Sequence, residues 1–144
     1  MIARDRIAAL IPHAGAMCLL EQVVAWDERT IRCRAISHRD PGNPLAVDGR
    51  LGAACGVEYA AQAMALHGGL TGAVGGRPAA GYLASLRALV LRVDRLDDLA
   101  GDLVIEAERL AGEAASVSYR FSVSHAGLPL LSGRAAVILD AGEA

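Results

Sequence analysis

Between Arg50 and Arg77 every residue is uncharged at neutral pH except Glu58. The stretch LGAACGVEYAAQAMALHGG inside that window predicts one long helix, from about residue 49 to residue 67, with almost no polar face. Asp48 stands where an N-cap is needed, and Gly68-Gly69 where the helix is expected to stop. A helix that is apolar nearly all round has to be covered nearly all round. The rest of the chain must therefore wrap it. Burying an ionised carboxylate costs several kcal/mol unless it is paired or takes up a proton. Glu58 is for that reason the first candidate for chemistry. The alternative is a buried carboxylate paired with an arginine of a neighbouring strand or subunit.

The flanking segments read as strands. Residues 3–10 form a short amphipathic helix ending near Pro12, and residues 19–26 a strand. In residues 30–36, Ile31, Cys33 and Ala35 face one way and Arg32 and Arg34 the other. A proline-bearing polar loop follows up to Gly49. After the helix, residues 82–93 are apolar on both faces, which predicts a central strand covered by the helix. Residues 102–109, 116–124 and 130–139 complete the set. In 116–124, Val117, Tyr119, Phe121 and Val123 alternate with Ser118, Arg120 and Ser122. His125-Ala126-Gly127 marks a hairpin turn. Strands gathered around one helix indicate an α+β fold with an antiparallel sheet, a single domain over residues 1–144. One twisted sheet wrapped about a central helix is the hot-dog fold, in which a second subunit covers the remaining helix face.

Composition excludes several functions. The net charge is −2 and aromatic residues are 3% of the chain, so a basic groove with stacking rings for nucleic acid is disfavoured. There is no lysine, which removes Schiff-base chemistry on that side chain. No apolar run reaches the length needed to span a bilayer, and the N-terminal segment carries charges where a signal peptide is apolar; a cytoplasmic location is expected. Cys18, Cys33 and Cys55 are widely spaced with no CxxC, which argues against disulfides and a structural metal site.

Two segments carry a family resemblance. Ile11-Pro12-His13 followed by Met17-Cys18-Leu19-Leu20-Glu21-Gln22-Val23-Val24 resembles the opening of bacterial 3-hydroxyacyl-acyl-carrier-protein dehydratases. Gly56-Val57-Glu58-Tyr59-Ala60-Ala61-Gln62 looks like their helix motif. More narrowly, Asp48-Gly49 leading into that motif is similar to the divergent dehydratase-like proteins of aryl-polyene clusters. The order of elements agrees over nearly the whole chain. The resemblance departs at the catalytic histidine. The main family carries it in a His-Phe-Pro-Gly segment at a position that falls here on Pro44. The nearest upstream histidine is His38, twenty residues before Glu58.

The resemblance implies dehydration of a 3-hydroxyacyl thioester carried on the phosphopantetheine of an acyl carrier protein, with no metal or redox cofactor. Such a reaction suits an acid and a base with separated pKa values. A carboxyl group in apolar surroundings keeps its proton to higher pH, so Glu58 is expected to be the acid and His13 or His38 the base. Gln62, one turn on, is expected to hold Glu58 or the substrate hydroxyl. Gly56 and Cys55 line the helix start, where backbone N–H groups can meet the thioester oxygen. Cys55 is expected to be a small buried hydrophobe rather than a nucleophile. His67 and His125 are expected at the surface or in turns. Arg87, Arg92 and Arg95 face either the carrier protein or solvent. The chain is expected to act as a homodimer or larger. Two other functions stay open: thioester hydrolysis on the same fold, and a non-catalytic role completing a heterodimer with an intact dehydratase subunit.

Overall fold

A computed structural model describes residues 1–11, 15–72, 80–112 and 116–140 of the chain. The apolar segment forms helix α2, Gly56–Thr71. It begins later than the sequence predicts. Asp48 and Gly49 both have positive φ, 52° and 74°, and the backbone N–H of Val47 donates to the Arg50 carbonyl at 2.9 Å. Asp48-Gly49 is therefore the tip of a tight reverse turn and not a cap. The chain then passes through a 3-10 turn, Ala53–Cys55, into α2. The helix also runs through Gly68-Gly69, both buried, and stops at Thr71. Tertiary burial outweighs the weak helix propensity of that pair.

Among the described residues the strands are β1 (Ile2–Ala3), β2 (Gln22–Trp26), β3 (Thr30–Ala35), β4 (Ala80–Leu91), β5 (Leu103–Gly112), β6 (Ser116–His125) and β7 (Leu128–Asp140). A short helix α1, Arg4–Leu10, precedes β2. All pairings are antiparallel, in the order β1-β2-β3-β5-β6-β7-β4. The sheet wraps α2, and its inner face supplies Ile31 and Cys33 of β3, Leu103 and Ile105 of β5, Tyr119 and Phe121 of β6, and Leu131 and Val137 of β7, all buried. Each large apolar side chain of this kind contributes about 1.5–3 kcal/mol on burial. The β6–β7 hairpin turns at Ala126 (φ 51°) and Gly127 (φ 81°), as the sequence predicts. The arrangement is the hot-dog fold: one long helix in an antiparallel sheet.

One strand differs in place. β4 is expected in the centre and lies at the sheet edge, hydrogen-bonded only to β7 among the described residues. Leu83, Leu86, Val90 and Leu91 are 38–45% exposed. A strand that another chain covers has the same two-sided apolar composition as one covered by its own helix. An exposed apolar edge is a template for pairing with a further strand.

Two histidines are core residues: His67, expected at the surface or in a turn, and His38, a candidate base. His67, on α2, is fully buried. Its Nε2–H donates to the Asp27 carbonyl at 2.8 Å, and its Nδ1 accepts from the Tyr119 hydroxyl at 2.8 Å. Burial lowers its pKa from 6.5, and the Arg109 charge lowers it further; the Asp27 contacts act the other way. Burial pushes the Tyr119 hydroxyl up to about 12. His38 is also lowered by burial. A histidine depressed in the folded state stabilises the fold fully above its unfolded pKa, and that contribution is lost as pH falls through the folded value. The melting temperature is therefore expected to hold above pH 6.5 and to fall progressively below it. Circular-dichroism melts across that range check this, and His67→Gln should flatten the acid limb.

Candidate functional site

The helix start is held in place by long-range backbone bonds. The Ala53 N–H donates to the Asp94 carbonyl at 3.0 Å, and the Leu96 N–H to the Leu51 carbonyl at 2.8 Å. Asp97 accepts from the Leu51 N–H at 2.9 Å and is paired with Arg95. The Arg95 side chain and the Leu51 N–H together hold the Asp97 carboxyl well below the usual carboxylate range. Arg95, expected to face a carrier protein or solvent, is thus tied to Asp97 and, at 4.0 Å, to Asp98. Between the 3-10 turn and the end of β4 lies an open cleft of about 480 Å³, lined by Gly52, Ala53, Ala54 and residues 91–94. Arg92 is part of that lining.

Glu58 stands one turn beyond Ala54 and is solvent-exposed. The apolar surroundings that the sequence promised it are not supplied by this chain. It sits on the strip of α2 that the sheet leaves uncovered, while Val57, Tyr59, Ala60 and Gln62 on the same helix are buried. Among the described residues it has no ion pair, so the paired-carboxylate alternative is not met among them.

Gly56 opens α2 against β7. A Cβ there would come within 2.5 and 2.9 Å of the Leu131 methyls, so the missing side chain is a packing requirement. Cys55 is half-buried, and its Sγ donates weakly to the Leu45 carbonyl at 3.9 Å. Burial, and secondarily the Glu58 charge, push its thiol up; its hydrogen bond to Gly52 acts the other way. A raised thiol is a poor nucleophile, in line with the expected packing role.

Gln62 is not beside the acid as a free amide. It is buried, its Oε1 accepts from the Leu19 N–H at 2.9 Å, and its Nε2 donates to the Met17 carbonyl at 2.5 Å. It braces the segment that leads into β2. The sequence marked the residue but not this use, because its partners lie more than forty positions away. A second network was not visible in the sequence. The Tyr59 hydroxyl meets Ser37 Oγ at 2.8 Å and accepts from Asn43 Nδ2 at 3.0 Å, while Ser37 Oγ donates to the Leu19 carbonyl. These bonds fix the loop after β3 onto α2.

His38, one of the two candidate bases, is 1% exposed. Its Nε2 donates to the Leu99 carbonyl at 3.0 Å, and its Nδ1 has no partner. The charged groups that act on it are Arg39, His125 and Asp102. Among the described residues no hydrogen bond joins His38 to Glu58. His125, expected at the surface or in a turn, is the half-buried last residue of β6, just before the turn, and its Nε2 donates to the Ala100 carbonyl. His13, the other candidate base, lies outside the described residues. Among the described residues no group of His, Cys, Asp and Glu is arranged to hold a metal ion, and no helix is long and apolar enough to cross a membrane.

Comparison with known proteins places this geometry. The family model of ApeP-like proteins, described as ApeP dehydratase, matches residues 5–142. The dehydratase heterocomplex ApeI:P from Xenorhabdus doucetiae is similar at 25% identity and a TM-score of 0.81, over 99% of this chain and 93% of that one. A mutant thioesterase from Pseudomonas aeruginosa is similar at 14% identity and a TM-score of 0.68, over 95% and 93%. A thioesterase from Haemophilus influenzae gives 13% and 0.67, over 96% and 91%. The two thioesterases share the fold. Comparison with curated protein sequences returns no match.

Proposed function

The chain belongs to the ApeP-like dehydratase family, and from that premise we propose that it is one half of a 3-hydroxyacyl-carrier-protein dehydratase whose site is completed by a second hot-dog subunit. The observation that carries this reading is the exposure of Glu58 beside the cleft at the helix start. A carboxylate set on an uncovered strip of an otherwise buried helix is placed to serve a site formed with another chain. The exposed apolar edge of β4 supports the same reading, since it offers a row of unpaired backbone groups to a partner strand. The related structure is itself a dehydratase heterocomplex.

In this scheme the substrate is a 3-hydroxyacyl thioester on the phosphopantetheine of an acyl carrier protein. Its thioester oxygen sits at the helix start, where backbone N–H groups stabilise negative charge developing on it. A base supplied by the second subunit removes a proton from C2. Glu58 gives its proton to the C3 hydroxyl, which leaves as water, and the C2–C3 double bond forms. Gln62 acts indirectly, by positioning the 17–19 segment. Arg92, on the cleft wall, is placed to meet the acidic carrier.

The test is to supply a 3-hydroxyacyl-carrier substrate to this chain together with the second hot-dog subunit of its own system. Conjugated enoyl thioester is the expected product. Release of free carrier thiol without enoyl absorbance would replace the dehydratase reading with thioester hydrolysis.

A further inference from the structure

Asp97 lies in the connection between β4 and β5, and 16% of its side chain is exposed. Arg95 holds the carboxylate through two atoms: Nε donates to Oδ1 at 3.0 Å and Nη2 to Oδ2 at 2.5 Å. A bidentate pair of this kind fixes the direction in which the carboxylate points. Oδ1 also accepts from the N–H of Leu51, a residue with no exposed surface. Together with the backbone bonds from Leu96 to Leu51 and from Ala53 to Asp94, it makes a short antiparallel ladder between residues 51–53 and 94–97. The Asp97 bond is the one in that ladder made by a side chain.

The ladder ends where the helix start opens to solvent. Between Leu51 and Ala60 the exposed residues are Ala54 and Glu58, one helical turn apart. Side chains on a helix lean toward its N-terminus, which brings Glu58 back over the turn that holds Ala54. The N–H groups of Leu51, Ala53 and Cys55 are taken by Asp97, Asp94 and Gly52, and that of Gly56 by the Ala53 and Ala54 carbonyls. Among the described residues the N–H groups of Gly52 and Ala54 have no acceptor, and both residues line the cleft of about 480 Å³.

We infer that Asp97 is a positioning residue: through the Leu51 N–H it sets how the free N–H groups of Gly52 and Ala54 meet the thioester oxygen. The inference rests on the dehydratase reading of the site. As C2 loses its proton, negative charge moves onto that oxygen. Donors aimed at it therefore act on the transition state more than on the bound substrate. Without Asp97 the buried Leu51 N–H has to move to find an acceptor, and the segment carrying the two donors moves with it. A misplacement of about 1 Å costs on the order of 10²-fold in rate. The latch thus acts on kcat and not on KM. A purely structural latch would lower the melting temperature and leave the turnover of the folded enzyme unchanged.

The test uses the complex with the second hot-dog subunit and a 3-hydroxyacyl-carrier substrate. Asp97→Ala is expected to lower kcat about tenfold or more while KM changes less than about twofold. Asp97→Asn keeps an oxygen for the Leu51 N–H and is expected to retain most of the rate. A dithioester substrate, with sulfur in place of the carbonyl oxygen, is a weaker acceptor. It should slow the wild type strongly and Asp97→Ala by a smaller factor. Unchanged kcat in Asp97→Ala, an Asp97→Asn enzyme as slow as Asp97→Ala, or the same slowing by sulfur in wild type and Asp97→Ala overturns the inference and leaves dehydration standing. No enoyl product from the wild-type pair removes the dehydratase reading, and the inference with it. Circular dichroism checks the fold of each variant. If Asp97→Ala does not fold, Arg95→Met, at a side chain 38% exposed, is measured against the same criteria.

Discussion

Glu58→Gln is expected to reduce dehydration by the assembled two-subunit enzyme by about 10²–10⁴-fold while leaving the fold intact. The size follows from the role. Loss of a positioned general acid removes proton donation to the leaving hydroxyl, and the amide cannot replace it. The silence in stability follows from the position. Glu58 is exposed and has no ion pair among the described residues, so its replacement is expected to change stability by no more than about 0.5 kcal/mol. Steady-state turnover and a thermal melt on the same preparation check both halves. A Glu58→Gln enzyme that turns over normally removes the acid from the scheme.

Gln62→Leu is expected to show the opposite pattern, a large loss of stability. The side chain is buried and both ends of its amide are used, on the Leu19 N–H and the Met17 carbonyl. Leucine strands both backbone groups. A buried group left without a partner costs about 1–3 kcal/mol, so the two together put the loss at roughly 2–6 kcal/mol. Packing of the similar-sized leucine offsets little of that, since the lost bonds are to backbone and not to a side chain that can turn away. Gln62→Glu separates the terms, because it keeps the acceptor for Leu19 and loses the donor for Met17. Denaturant melts on both variants measure the difference. Near-normal stability of Gln62→Leu would return Gln62 to the substrate.

These two residues show how far the sequence could be read. Glu58 was conspicuous because charge is absent around it, and the fold it demands, a helix wrapped by a sheet, is the one observed. The burial of Glu58 was not legible, because it depends on which strip of α2 the chain leaves bare. β4 failed for the same reason, since an edge and a centre both read as two-sided apolar strand. Asp48-Gly49 satisfies the pattern of an N-cap and of a tight turn equally, and only the Val47–Arg50 bond decides. The burial of His67 and His38 was not legible because their partners, the carbonyls of Asp27 and Leu99, are distant in sequence. The alternation of β6, the inward side of β3 and the Ala126-Gly127 turn are local patterns, and those were legible.

The proposed shared site rests on the placement of two groups. His38 is spent on a backbone carbonyl and Glu58 looks outward, so the acid and a base do not meet through these two residues within one chain. The direct measurement is turnover of a 3-hydroxyacyl-carrier substrate by the purified chain alone and after titration with the second hot-dog subunit of its own system. The account predicts negligible enoyl product from the chain alone and activity that saturates at one partner per chain. Full activity from the pure homo-oligomer, unchanged by the second subunit, would contradict it.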